Sequence, residues 1–232
     1  MRTYLKLPTV SEDSRDWTLN INKMTLQWPS LILLFSSLIC VHSLPVAVLH
    51  TKYITSYRLV LFTRCRVQQL LTKYKEEQLG SKDYEDRSQH LKELPSLSTD
   101  FYSWLKMTDE ERLGTALWDV QVFWDILKWK REQLTAADSH SPLHQSMQHI
   151  ECDLRDLTRQ VIHQMNHTGS TRAPVGRTVS VRSGSRTRWD SRVEGYIILR
   201  DLNLYLTKLA RDFLLLATKA SPTTGAMRRE TM

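Results

Sequence analysis

A chain of 232 residues, 41% apolar and 25% charged, has the make-up of one folded domain with a real core, which excludes the disordered and fibrous classes. Its seven glycines are few for a turn-rich β protein, so helices are expected. A net charge of +7 permits acidic partners or glycosaminoglycan contact without demanding nucleic acid.

The most apolar stretch runs over 30–48, with 31–35 and 38–41 at its heart and His42 and Pro45 interrupting it. A membrane-spanning helix needs about 20 apolar residues in succession, which this run does not supply. Val41 and Ser43 sit at the minus-three and minus-one positions of a signal-peptidase site. Cleavage is therefore expected after Ser43, making 1–43 a signal peptide and 44–232 a secreted, extracellular domain. Translation from Met24 would give a leader of ordinary length and leave 1–23 as an alternative extension; an uncleaved signal anchor is the competing reading. Cleavage removes Cys40 and leaves Cys65 and Cys152, an even pair that allows one disulfide in an oxidising compartment. Two small buried thiols are the alternative. Asn166-His167-Thr168 is an N-glycosylation acceptor.

Four segments then carry helical periodicity. The first helix is expected over 51–79, where Tyr53, Tyr57, Val60, Val67, Leu71 and Tyr74 follow three-four spacing and Gly80 supplies the stop. The second, 108–134, opens with a capping box of Thr108 and Glu111. Its stripe is Leu113, Leu117, Val120, Trp124, Leu127 and Leu134, and Trp118, Val122 and Trp129 form a second strip for packing under a crossover. The third, 141–166, has Pro142 in its first turn, where the missing donor costs nothing, and a stripe of Leu143, Met147, Ile150, Leu154, Leu157 and Val161. The fourth, 191–220, is expected to open at Ser191 with Glu194 completing a second capping box. Ile198, Leu202, Leu206, Leu209, Phe213 and Leu216 form its stripe.

The connections between these helices are about 28, 7 and 24 residues long. Each helix extends roughly 37 Å at 1.5 Å per residue, whereas the short connection reaches at most about 25 Å. The second and third helices must be antiparallel. The two long connections can climb back along the bundle, which gives an all-α, up-up-down-down long-chain four-helix bundle with two long crossover loops. A plain up-down bundle with loose loops is the alternative. In that wiring the first and third helices are neighbours, so Cys65 and Cys152 meet if their heights agree.

The first crossover carries its own apolar cluster, Leu91, Leu94, Leu97, Phe101, Tyr102 and Trp104, and is expected to pack on the bundle. The second, 168–188, is rich in Gly, Ser, Thr and Arg with no acid, and is read as a solvated loop; heparin contact is the sharper alternative. There is no glycine-rich phosphate loop and no nucleophile elbow, so no enzyme and no cofactor are expected. The pairs His140/His144 and His163/His167 have ligand spacing but lack supporting partners for a metal. A basic helical nucleic-acid binder would need arginines along one ordered helix face, and here they gather in a loop.

Leu94-Pro95, Ser98, Phe101 and Trp104 leading into Thr108-Asp109 and Glu111-Arg112-Leu113, Asp153-Leu154-Arg155-Asp156-Leu157, and Trp189, Tyr196, Arg211 and Leu214-Leu215-Leu216 stand in an order that resembles the interleukin-27 alpha branch of the interleukin-6 family of long-chain four-helix cytokines. The resemblance implies a secreted subunit that pairs with a soluble receptor-like subunit, the Epstein–Barr-virus-induced gene 3 product. It implies engagement of interleukin-27 receptor alpha and glycoprotein 130, class I receptors whose kinases then signal in immune cells. Trp189 matches the tryptophan that packs on glycoprotein 130, as an indole at a helix entrance suits an interface anchor. A staple of Trp189 against its own helix end is the alternative. Arg211 matches an arginine facing the soluble partner. On the helical wheel Leu204, Lys208, Arg211 and Leu215 form a stripe off the core face, offered to a partner or covered by the crossover; Phe101 and Tyr102 join the receptor-facing set. One departure is the basic 168–188 loop, where mammalian members carry glutamates. A self-sufficient, ciliary-neurotrophic-factor-like cytokine is the second functional reading.

Overall fold

The computed structural model describes residues 15–97, 100–137, 141–167 and 187–221, with side chains from Ala47 onward. Five helices follow in order: α1 Arg15–Leu79, α2 Phe101–Lys106, α3 Asp109–Ala137, α4 Pro142–His167 and α5 Arg188–Lys219. The chain divides into two compact units, Met1–Pro45 and Val46–Met232. The first contributes the leading part of α1; the second contains the bundle. No described helix is long and apolar enough to cross a membrane.

Helix ends follow local chemistry. Gly80 stops α1 at φ +76°, a backbone region that other residues avoid. Thr108 and Glu111 close the expected capping box on α3: Glu111 N–H donates to Thr108 Oγ1 at 3.2 Å and Thr108 N–H to Glu111 Oε2 at 2.9 Å. Pro142 opens α4 behind Ser141, whose Oγ accepts from Leu143 N–H.

Two expected helix starts differ. α1 begins at Arg15 instead of near 51 and runs on through Pro29 and Pro45. α5 begins at Arg188, capped by Thr187 and Asp190. Ser191 and Glu194 are not a cap: the Ser191 carbonyl and hydroxyl and the Glu194 carboxylate all receive the buried Lys130 ammonium of α3.

Pairwise contacts give the helix directions. Between α1 and α4, Lys52 meets His167, Ser56 meets Gln160 and Arg66 meets Asp153, so one number falls as the other rises. Between α1 and α5, His50 meets the Ala217 carbonyl and Tyr74 the Arg192 carbonyl. α3 runs antiparallel to α5 through Arg112–Asp212 and Lys130–Glu194, and to α4 through Arg131–Glu151 and Thr135–His144. Helices antiparallel to the same two partners are parallel to each other. α1 and α3 therefore point one way and α4 and α5 the other, and the fold is the all-α up-up-down-down bundle.

Its core takes in most of the stripes read from periodicity, with Tyr57, Leu71, Leu117, Trp124 and Leu134 only partly buried, and adds Leu70, Phe123, Ile126, Ile197, Leu199 and Tyr205. All six stripe residues of α4 are fully buried, as are Ile198, Leu202, Leu206 and Phe213 of α5. Val122 is buried, and Trp118, Trp124 and Trp129 pack partly buried against the core. The long first crossover is fastened down: Arg200 donates to the carbonyls of Asp86 and Gln89, and Asp86 N–H donates to Tyr196 Oη. Leu91, Leu94 and Leu97 pack against the core from that crossover.

Candidate receptor-facing surface

The short helix α2 was not legible as a helix, and it organises the candidate surface. Asp100 caps it by accepting from Ser103 N–H. Trp104 Nε1–H donates to Asp212 Oδ1 at 2.6 Å, and the same carboxylate receives Arg112 Nη1. Arg112 also donates from Nη2 to the Trp104 carbonyl at 2.6 Å and lies over the indole at 4.9 Å. Asp212 thus locks α2, α3 and α5 together through a guanidinium that is only 2% exposed.

The lock turns Trp104 inward and leaves the other side of α2 outside. Phe101 is 62% exposed, Tyr102 69% and Leu105 53%. This splits the expected apolar cluster of the crossover: its leucines and Trp104 pack, whereas Phe101 and Tyr102 do not. α5 passes alongside, and its outward stripe carries Leu204 and Leu214 at 49% and 46% exposure, exposed Arg211, and half-buried Lys208 and Leu215. Trp104 meets α5 at Asp212, and Arg211 is the next residue of α5, exposed where Asp212 is buried. Leu105 escapes sequence reasoning because a helix of six residues is too short for a stripe to be read.

Trp189 lies apart, at the other end of α5 and roughly 33 Å from Arg211 at 1.5 Å per residue. It is half exposed, edge-on to Tyr84 with ring centroids 6.3 Å apart; Tyr84 in turn meets Tyr196 at 5.0 Å. The indole is supported by Tyr84 of the first crossover, which also meets Tyr196 of α5.

Cys65 and Cys152, the pair that allowed one disulfide, stand here as free thiols, exposed and half-buried. Their heights agree, since the neighbouring residues Arg66 and Asp153 pair at 3.0 Å. Cys65 Sγ sits against Gln69 of its own helix, and Cys152 Sγ against Arg155 of its own. Asn166 is exposed in the last turn of α4; Thr168 of its acceptor triplet, His140 and nearly all of the basic 168–188 stretch lie outside the described residues. His163 and His167 face Lys52.

An up-up-down-down bundle with long helices and two long connections is the long-chain helical cytokine class, whose chemistry is recognition and not catalysis. The family profile of Interleukin 11 matches residues 52–220, which spans all four bundle helices. The chain belongs to the Interleukin 11 family and is an interleukin-6-type cytokine, a secreted class of ligand for class I cytokine receptors. No individual curated protein matches it significantly.

Proposed function

We propose that this chain is a secreted cytokine subunit of the interleukin-27 alpha kind, which docks a soluble receptor-like partner on the α2/α5 flank and offers Trp189 to a signalling receptor at the far end of α5. In this reading 1–43 is a signal peptide and 44–232 the mature domain. The boundary between the compact units, just after Pro45, lies next to the expected cleavage site and supports that division.

The observation that carries the proposal is the flank itself: Phe101, Tyr102, Leu105, Leu204 and Leu214 are all about half exposed or more. Scattered apolar residues are ordinary on a surface, but several aromatics and leucines on neighbouring elements mark a contact site, and a nearby arginine is the usual polar anchor. By resemblance the partner is the Epstein–Barr-virus-induced gene 3 product, and the receptors are interleukin-27 receptor alpha and glycoprotein 130. Trp189 supports the second contact, since an indole propped on Tyr84 is pre-oriented while keeping half its surface in water. The second reading is a self-sufficient cytokine of the ciliary-neurotrophic-factor-like kind that needs no soluble partner; the family match lies closer to it without outweighing the first.

A pull-down of the secreted protein with the soluble receptor-like subunit, combined with a cell-signalling assay, separates the readings. Arg211→Glu is expected to lose the partner, and Trp189→Ala to keep the partner and lose signalling. Full signalling by the chain alone on cells lacking every soluble partner subunit would establish the second reading.

A further inference from the structure

We propose that the groove between α1 and α4 is a second binding site, one that takes a sulfate ester of a glycan chain on Lys52, Arg159, His163 and His167. It lies away from the α2/α5 flank, and only the place where such a glycan is met, outside the cell, rests on the secreted reading.

The groove has a volume of about 380 Å³ and is lined by Thr51, Lys52, Thr55, Arg159, His163 and Gln164 among others. All of these residues carry hydrogen-bond donors and none is acidic. Lys52 Nζ lies 2.5 Å from His167 Nε2 and 3.3 Å from His163 Nδ1, and the two imidazoles stand 4.6 Å apart. An ammonium donates to an imidazole nitrogen only while that nitrogen is unprotonated. Three groups that can each carry positive charge therefore converge with no carboxylate between them. Loss of hydration, then Lys52 and His163, hold the His167 pKa below its ordinary value.

The charged groups around the cluster do not relieve it. From α4, Arg159 adds a further cation, partly answered by Asp156 at 3.0 Å. At the same end of the bundle Asp109 of α3 and Lys219 of α5 pair with each other at 2.6 Å. An oxyanion in the groove would accept from Lys52 and Arg159 and would favour proton uptake by the histidine pair.

Gln164 distinguishes a sugar from a bare anion. It is 1% exposed, its Nε2 is spent on Ser56 Oγ and the Lys52 carbonyl, and its Oε1 has no hydrogen-bond partner among the described residues. A buried acceptor at the wall of the groove calls for a hydroxyl, which a sugar ring has and inorganic sulfate lacks. The groove surface is mostly carbon, which suits the apolar face of a ring.

Binding of a heparin-derived hexasaccharide to the secreted protein at about pH 6.0 and pH 7.5 tests the site. Proton uptake linked to binding makes the complex about tenfold tighter at the lower pH, and Lys52→Gln or the double variant His163→Gln/His167→Gln removes that difference. Any contribution from the arginines of 168–188 stays flat over this range, because guanidinium does not titrate there. Imidazole proton resonances of the wild type give a readout free of folding effects: the hexasaccharide should raise the titration midpoints of His163 and His167. Equal affinity at the two pH values, or midpoints that do not move, would overturn the proposal. Inorganic sulfate raising the midpoints as far as the hexasaccharide at equal concentration would overturn the glycan assignment.

Discussion

Asp119 and Gly195 show how single residues are shaped by their surroundings in this bundle. Asp119 is 7% exposed; burial, only partly offset by Lys208 and reinforced by Asp212, raises its pKa from 3.8 to about 6. A folded-state pKa above the unfolded value means that the folded form binds more protons between about pH 4 and 6. The stability so gained is complete near pH 4 and is lost as the pH rises through about 6. Asp119→Asn is thus expected to raise the unfolding free energy by about 1–3 kcal/mol near neutral pH and to do little near pH 4, as read by denaturant melts at both. At Gly195 a Cβ would stand 2.0 Å from Tyr74 Oη and 2.9 Å from Lys130 Cε. Gly195→Ala should lower stability by about 1–3 kcal/mol even though alanine is the better helix former, because the tyrosine ring is buried and cannot yield. At this scale the local signals were legible where the chain itself supplies both partners, as at Thr108 and Glu111. They misled at Ser191 and Glu194, where Lys130 from another helix takes both residues.

At the scale of elements, the α4 stripe and most of the α5 stripe were readable in full because an apolar face repeated at three and four has only one way to be buried. α2 was not, being too short to show a period. Its position depends on Asp212, which lies two helices away in sequence. Asp212→Asn would leave Arg112 buried without a counter-charge, and a loss of about 3–5 kcal/mol is expected in thermal or denaturant unfolding. The milder Trp104→Phe keeps the ring and removes only the N–H donor to Asp212. It should cost about 1–2 kcal/mol while weakening partner capture disproportionately, since it loosens the helix that presents Phe101 and Tyr102. Partner capture that is unchanged in a folded Trp104→Phe protein would detach α2 from the docking flank.

At the scale of the whole molecule, the wiring explains why the two candidate contacts lie at opposite ends of α5. Parallel α4 and α5 require the second long crossover, and that crossover delivers Trp189 to the head of α5; the first crossover ends by laying α2 along its tail. A subunit with Phe101, Tyr102, Leu105, Leu204 and Leu214 exposed should secrete poorly or aggregate alone and be rescued by co-expression with its soluble partner, measured as protein in the medium. If the proposed leader is right, mass spectrometry of the secreted protein should find the N-terminus at Leu44.

The sequence by itself determined the four long helices, most of their buried stripes and, through the short connection and the reach of an extended chain, the antiparallel run of α3 and α4; it permitted the up-up-down-down wiring without excluding a plain up-down bundle. These follow from periodicity and length, which are properties of continuous stretches. Only the tertiary structure decided that Lys130 and Arg112 are buried against carboxylates on α5, that α2 exposes Phe101, Tyr102 and Leu105, and that Lys52 meets His163 and His167. Each of these depends on the rotation of one helix about its axis relative to another. That rotation is set by the packing of the whole core, and no single stretch of sequence carries it.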